Sequence, residues 1–278
     1  MSAARELPQR VAVLGDGQVG ALAAIALRRA LPRSEVVVVG TPPDPAAFAD
    51  RAATALPFTN RLHDRLGISE EQLVREAGAS HRLVVRYSGW GGSGHEGVAP
   101  YGAVIDPKLK TRFAREWAGG PRNASTARQP GSLGEVLAAE GRFQPPSVEP
   151  NSPLAEIDYA LRWNPAAYRD VLVREAQRLG VRHVQGAVTA IALRDDGRID
   201  MIQVGGRDEG LQADLYVDCT GFRSVLLSRL PEARWQSWQR FLPIRGLQLG
   251  RPGPTALGLE DRVALAPVGW RSQLAGRD

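Results

Sequence analysis

Apolar and polar residues follow a strand–helix–strand pattern over the first forty positions. Residues 11–14 are a short apolar run, residues 18–31 carry Leu22 and Ile25 on one helical face, and residues 35–39 are a second apolar run. Because parallel strands need a helical crossover between them, the pattern predicts a βαβ unit at the start of the chain.

The middle of the chain is less regular. Ser69 precedes a polar, acidic turn and predicts the N-cap of a short helix. Residues 83–87 alternate like a strand, and the glycine-rich residues 89–102 predict a loop. We expect a loop-rich insertion at about residues 103–155, with one short helix around residues 133–140.

Regular patterns return in the C-terminal half. Asn164 and Pro165 predict a helix start, and Gly180 predicts its end before a strand at residues 181–184. The apolar runs at residues 188–193, 199–204 and 211–217 follow, and the first two flank a turn sequence, Asp-Asp-Gly, that predicts a hairpin. Beyond these runs, Trp235 and Trp238 are expected on a helix.

These elements predict an α/β fold of two parts. Residues 8–230 are expected to form a Rossmann-like, dinucleotide-binding domain with inserted antiparallel strands, and the pattern weakens over residues 231–278, which form the second part. A parallel sheet interrupted in this way is typical of flavoproteins of the glutathione-reductase and FAD-monooxygenase type. In such folds the cofactor lies along the carboxyl ends of the parallel strands.

A glycine turn follows the first predicted strand. Gly15 permits the tight turn, Gly17 lets a pyrophosphate approach the backbone, and Gly20 lets the helix pack on the strand. Gln18 and Val19 open the helix, whose free N–H groups and positive end favour phosphates. We therefore predict that these five residues bind a nucleotide cofactor.

A second strand-to-glycine turn lies far along the chain. The run at residues 211–217 leads into Asp218, Gly221 and Phe222, which we also predict to bind the cofactor. For Asp218 the alternative is a strand-end carboxylate that caps the next helical segment. Cys219, in the same turn, is expected to be a small buried residue and not a nucleophile, since no motif supports thiolate activation.

One expected feature of a dinucleotide site is missing. An acidic residue should end the second strand and bind ribose hydroxyls, but that position is Gly40. Asp44 lies four residues further on and is a candidate substitute, with Pro42 and Pro43 between them.

Composition narrows the function classes. The net charge is +5, the only lysines are Lys108 and Lys110, and the arginines form no dense run, so nucleic-acid binding is not expected. The single cysteine, Cys219, excludes an internal disulfide, and the four histidines show no metal-ligand spacing, so no metal is expected. With no membrane span or secretory signal, the sequence predicts a cytoplasmic protein.

Several segments together resemble the flavin-dependent tryptophan halogenase family, and most of residues 10–228 can be placed on its pattern. The segments that carry the resemblance are Leu66-Gly67-Ile68, Glu70-Glu71, Ala79-Ser80, Arg86-Tyr87, Trp90, Tyr101-Gly102, Tyr159 to Tyr168, Leu172, Gly180-Val181 and Asp218-Cys219-Thr220-Gly221-Phe222-Arg223. The resemblance implies FAD as cofactor, a separate flavin reductase as partner, and an electron-rich aromatic substrate such as tryptophan or another indole. It implies oxidation of chloride or bromide, and passage of the oxidant through a channel to that substrate.

The chain also departs from the family pattern. The resemblance places the family's halogen-carrying lysine at Asn60 or Arg61, so no catalytic residue is assigned. Arginine stays protonated, which argues against a haloamine. Gly269-Trp270 keeps only the first pair of a longer family string. The family's second flavin-contacting segment and its catalytic glutamate are missing before Asp278. The resemblance therefore implies that residues 231–278 are the start of a substrate domain that is incomplete, and that the chain is a truncated, degenerate member.

Three functions follow as hypotheses. The first is an FAD-dependent, halogenase-like oxidoreductase. The second is a non-catalytic or truncated relative that acts as an accessory protein. The third is an NAD(P)-binding reductase that uses the same Gly15 turn.

Overall fold

The computed structural model describes residues 7–41, 47–90, 94, 96–102, 132–242, 244–250, 253 and 258–274. Its strands are β1 (Arg10–Leu14), β2 (Glu35–Gly40), β3 (Ser80–Arg82), β4 (Val84–Ser88), β5 (Glu96–Pro100), β6 (Ala160–Arg162), β7 (Arg182–Gln185), β8 (Val188–Leu193), β9 (Ile199–Val204), β10 (Leu215–Asp218), β11 (Glu260–Ala266) and β12 (Gly269–Gln273). Its α-helices are α1 (Gln18–Ala30), α2 (Phe58–Leu66), α3 (Glu70–Glu76), α4 (Leu133–Ala139) and α5 (Pro165–Arg178).

The chain divides into two compact units. Unit 1 comprises Met1–Ala52, Asp64–Ala77 and Pro165–Pro243, and unit 2 comprises Ala53–His63, Gly78–Asn164 and Ile244–Asp278. These limits differ from the predicted domain boundary at residue 230, which stays a prediction.

Unit 1 is built on a parallel sheet in the order β10-β1-β2-β7. The two central strands, β1 and β2, are mainly apolar and buried because a parallel sheet is covered on both faces, whereas the edge strand β7 is mostly polar. Side chains of β1, β2, β7 and β9, together with two leucines outside the strands, form a buried core: Ala12, Leu14, Val37, Val39, Val184, Ile202, Val204, Leu211 and Leu226. The predicted βαβ unit is confirmed within one residue at each end of its elements.

The antiparallel insertion of unit 1 is also confirmed. Strands β8 and β9 pair as a hairpin with the predicted bounds, and Gly197 in its turn adopts a left-handed backbone (φ = 79°). The run predicted as one strand at residues 211–217 is divided in two. Leu211 forms an isolated bridge with Ile202, and β10 starts only at Leu215.

The two predicted helix starts in unit 1 are confirmed. Ser69 caps α3, where its hydroxyl accepts a hydrogen bond from the Gln72 N–H. Helix α5 starts at Pro165, whose missing N–H is not needed in the first turn. Gly180, just beyond α5, has the left-handed conformation (φ = 83°) expected at a helix end.

Unit 2 contains a sheet in the order β12-β11-β4-β5 and a separate antiparallel pair, β3 and β6. The predicted strand at residues 83–87 is β4. The loop predicted at residues 89–102 is wrong for residues 96–100, which form β5 antiparallel to β4. Buried Val98 explains this difference, because a single apolar side chain anchors the strand on the core of unit 2 despite its glycine-rich surroundings.

A charged cluster is buried inside unit 2. The Asp261 carboxylate pairs with both Arg82 and Arg162, and the second pair spans 2.6 Å from Nη1 to Oδ1. All three residues are at least nine-tenths buried. Arg82 also donates to the Ala55 carbonyl, and Arg162 to that of Gly258.

The helix predicted around Trp235 and Trp238 is wrong. The structure has no regular element there, and both indole side chains are more than half exposed. Isolated helices are marginal without a packed apolar face, so a helical pattern without such a face does not fold as a helix.

Some predictions fall on residues outside the described part. They concern residues 103–131 of the expected insertion, including Lys108 and Lys110, and also Pro42, Pro43, Asp44 and His95. In the part that is described, the predicted helix around residues 133–140 is confirmed as α4. In that same part, every helix is too short or too polar to cross a bilayer, and the cytoplasmic location stays a prediction.

Candidate functional site

The two glycine turns lie side by side at the carboxyl end of the unit 1 sheet. Strands β1 and β10 are parallel neighbours with Leu14 opposite Asp218, and the Cys219 N–H donates to the Leu14 carbonyl at 2.8 Å. Gly15 turns with φ = 101°, and a Cβ there would stand 2.6 Å from the Cys219 carbonyl oxygen. Only glycine fits this junction, which lies where dinucleotides bind in this kind of sheet.

Gly20 has a second, separate role. It lies in the first turn of α1, and a Cβ at this position would overlap the Gly15 carbonyl oxygen. Glycine therefore lets α1 start directly against the strand that leads into it, as predicted from the motif. Gly17 is the N-cap of α1, and because it has no side chain, no side-chain atom of this residue accepts a hydrogen bond from the first N–H groups of the helix.

An arginine from α5 fixes the glycine turn. Arg169 donates through Nε to the Asp16 carbonyl oxygen at 2.7 Å and through Nη2 to the Asp16 carboxylate at 2.6 Å. The two bonds hold both the backbone and the side chain of the residue between Gly15 and Gly17. Local sequence could not indicate this pair, because 153 positions separate its members.

Gln18 and Val19, two predicted cofactor residues, both form hydrogen bonds with Asp50, and their contact with a cofactor stays a prediction. The Gln18 amide is buried and donates to the carbonyl oxygens of Asp50 at 3.0 Å and Pro165 at 3.3 Å. The Val19 N–H donates to the Asp50 carboxylate at 3.3 Å. A Cβ on Gly17 would overlap this carboxylate, so Asp50 covers the face of the turn that the motif leaves open.

Asp218 organises the second turn. Its Oδ1 accepts hydrogen bonds from the Thr220 N–H at 3.1 Å and the Thr220 hydroxyl at 2.6 Å. Its Oδ2 accepts from the N–H groups of Leu226 at 2.8 Å and Leu227 at 3.2 Å. These bonds are those expected of a capping carboxylate, and direct contact of Asp218 with a cofactor stays a prediction.

Replacement of Asp218 by alanine separates these two interpretations. It leaves three backbone N–H groups without their acceptor, so we expect the free energy of unfolding to fall by about 1–3 kcal/mol in chemical denaturation. Asp208→Ala, at an exposed turn of the same unit, is the matched control and should change little. Unchanged stability with weakened cofactor binding would instead make Asp218 a direct contact.

Gly221 and Phe222 follow in a short 3₁₀ turn, Gly221–Arg223. Gly221 adopts φ = 80°, a backbone that side chains disfavour, and Phe222 is 60% exposed. Their contact with a cofactor stays a prediction. The thiol of Cys219 is a poor nucleophile, because burial, with the negative charges of Asp218 and Asp50, raises its pKa to about 11.

Neutral polar groups lie at the end of β2, where the expected acid is missing. The Gln185 side chain lies against Gly40, and a Cβ on that glycine would stand 2.7 Å from its Oε1 atom. The Thr41 hydroxyl is buried and has no hydrogen-bond partner among the described residues. An amide and a hydroxyl can both donate to and accept from ribose hydroxyls, so this position fits a nucleotide without a carboxylate.

Asn60 and Arg61, the expected place of a family lysine, belong to unit 2. The Asn60 amide donates to the Tyr159 carbonyl at 2.8 Å, and the Arg61 side chain is exposed. This arrangement assigns no catalytic role to either residue, and the placement stays a prediction.

The chain is similar to proteins of one known family. A family model described as tryptophan halogenase matches residues 10–249. Tryptophan 7-halogenase KtzQ of Kutzneria sp. (strain 744) is 29% identical over 243 residues, which are 79% of this chain and 44% of that protein. Tryptophan 7-halogenase RebH of Lentzea aerocolonigenes is 26% identical over 246 residues, 80% of this chain and 44% of its own length.

Solved structures give the same fold. BrvH, a flavin-dependent halogenase from Brevundimonas sp. BAL3, superposes with a TM-score of 0.77 at 24% identity over 97% of this chain and 55% of its own. The predicted α/β, Rossmann-like fold is thereby confirmed. The chain spans about half the length of the curated relatives it matches.

Proposed function

Since the chain belongs to the tryptophan halogenase family, we propose that it holds FAD along the Gly15 turn and oxidises a halide for transfer to an electron-rich aromatic. Tryptophan or another indole is the substrate class, and a separate reductase supplies the reduced flavin. The observation that carries the proposal is the meeting of the Gly15 and Cys219 turns at the carboxyl end of one parallel sheet.

The residues around this junction fit a dinucleotide. Gly15 and Gly20 keep the turn tight, and the N–H groups at the start of α1 would hold the pyrophosphate. The Thr41 hydroxyl and the Gln185 amide would form hydrogen bonds with the ribose hydroxyls. Bound reduced flavin would supply the activation of oxygen that halide oxidation requires.

A coupled assay tests the activity. The purified chain is mixed with FAD, a flavin reductase, NADH, bromide or chloride, and tryptophan or indole, and products are analysed by mass spectrometry. We expect a product with the halogen isotope pattern that depends on the chain, the reductase and the halide. Flavin binding without such a product, with both halides and both substrates, would contradict the catalytic part of the proposal.

A second candidate function has one observation in its favour. Four large apolar side chains near the end of unit 1 are more than half exposed: Trp235, Trp238, Phe241 and Leu242. Such a cluster is typical of a surface that another polypeptide covers. On this reading the chain is an accessory protein that works only with a partner.

Turnover by the isolated chain separates the two candidates. If the assay above yields halogenated product from a monomer, measured by light scattering in the same buffer, the accessory function is excluded. The comparisons do not support the NAD(P)-reductase hypothesis. Tight binding of NAD(P) without binding of flavin would be the result that favours it.

A further inference from the structure

An acidic side chain lies where the cofactor's phosphates are expected. Asp50 belongs to a 3₁₀ turn, Phe48–Arg51, that packs on the first turn of α1 in unit 1. We propose that the Asp50 carboxylate is an internal competitor for the pyrophosphate of the dinucleotide, so that it lowers the affinity for FAD and leaves the turn when FAD binds. This inference rests on the proposed function and concerns the same site.

The first argument is steric. Gly17 serves a dinucleotide turn because the missing Cβ leaves room for the pyrophosphate to approach the backbone. In this structure that room contains the Asp50 carboxylate, since a Cβ on Gly17 would overlap its carbon and both oxygens. The carboxylate and a pyrophosphate therefore cannot occupy this face of the turn together.

The second argument is electrostatic. Helix α1 has 13 residues, no acidic residue in its first turn and no side-chain cap at Gly17. Its positive end attracts an anion, and Asp50 supplies one by accepting from the Val19 N–H at 3.3 Å. The same N–H groups would serve the phosphates, and two anions at one helix end repel each other.

The charge of Asp50 also acts beyond its hydrogen bond. It contributes, after burial and Asp218, to the raised pKa of the Cys219 thiol in the adjoining turn. The negative field of Asp50 thus extends over the junction of β1 and β10, where the cofactor is proposed to lie.

The contacts of Asp50 indicate how the site can open. The buried Gln18 amide donates to the Asp50 backbone carbonyl at 3.0 Å, whereas the Asp50 carboxylate has, among the described residues, a single and longer hydrogen bond, from Val19. Rotation of the Asp50 side chain clears the turn without moving the backbone that Gln18 holds.

Calorimetric titration of Asp50→Asn and Asp50→Ala against the parent chain tests the proposal. The ligands are FAD and ADP, which carry a pyrophosphate, and riboflavin, which has none. We expect both variants to bind FAD and ADP about three- to thirtyfold more tightly, with riboflavin unchanged. Asp208→Asn makes the same charge change at an exposed turn of unit 1 and should alter none of the affinities.

Thermal unfolding gives an independent readout. Without ligand, both Asp50 variants should have a lower Tm than the parent, because the helix end loses its anion. With saturating FAD, both Asp50 variants should have a higher Tm than the parent chain.

The outcomes are distinct. If the parent binds FAD and the Asp50 variants bind it equally or more weakly, the competitor role is refuted while the proposed function stands. A similar gain for riboflavin would also refute it, because the effect would not concern the pyrophosphate. If none of the chains binds FAD or ADP, the proposed function fails and this inference fails with it.

Discussion

Replacing Asp261 by asparagine should lower the free energy of unfolding of unit 2 by about 3–5 kcal/mol. The substitution keeps the shape of the side chain and removes the negative charge with which, among the described residues, both Arg82 and Arg162 pair. Burial lowers the pKa of the Arg162 guanidinium, Asp261 opposes that shift, and Arg82 adds to it by repulsion. Asparagine at this position would leave the Arg82 and Arg162 charges buried side by side without a counter-ion. The free-energy cost of these unpaired charges is larger than the net stabilisation that the ion pairs provide.

Urea denaturation followed by circular dichroism measures this effect. Glu140→Gln, at an exposed position just after α4, removes one negative charge from the same unit and should change the unfolding free energy by less than about 0.5 kcal/mol. A loss below about 1 kcal/mol in Asp261→Asn would show that the two arginines do not depend on this carboxylate.

The second large effect is expected at Gly20. A methyl group there would overlap the Gly15 carbonyl oxygen, and the obstacle is backbone, which cannot rotate away like a side chain. Gly20→Ala should therefore force α1 away from β1 and destabilise unit 1 by about 1–3 kcal/mol. Because the same movement displaces the N–H groups at the start of α1, FAD affinity should fall at least about tenfold.

Gly205→Ala is the matched control for Gly20. A Cβ at Gly205 meets its nearest neighbours at 3.4 and 3.5 Å, which is ordinary van der Waals contact, and its backbone is not left-handed. Stability is measured by thermal denaturation and affinity by titration with FAD. If Gly20→Ala and Gly205→Ala have the same stability and the same FAD affinity, the turn does not depend on close packing of helix against strand at Gly20.

Local sequence patterns were sufficient for much of unit 1. The first apolar runs, the Asn164-Pro165 helix start and the hairpin turn at Gly197 each depend on residues that are close in sequence. The glycines at positions 15 and 20 could also be assigned roles, because the motif ties each one to a definite steric need.

The contacts that complete the site are long-range and have no local signal. Asp50 reaches Val19 across 31 positions, and Arg82 reaches Asp261 across 179. The helix predicted around Trp235 is wrong for a related reason. A local helical pattern does not show whether another surface covers the apolar face of the helix.

Calorimetric titration of the purified chain with FAD tests the central claim most directly. If the Gly15 and Cys219 turns form a working cofactor site, FAD should bind one-to-one at about micromolar Kd or tighter, corresponding to about −8 kcal/mol. Gly20→Ala should weaken that binding, and Gly205→Ala should not. No binding of FAD by the folded chain at millimolar FAD, or equal binding by both variants, would contradict the claim.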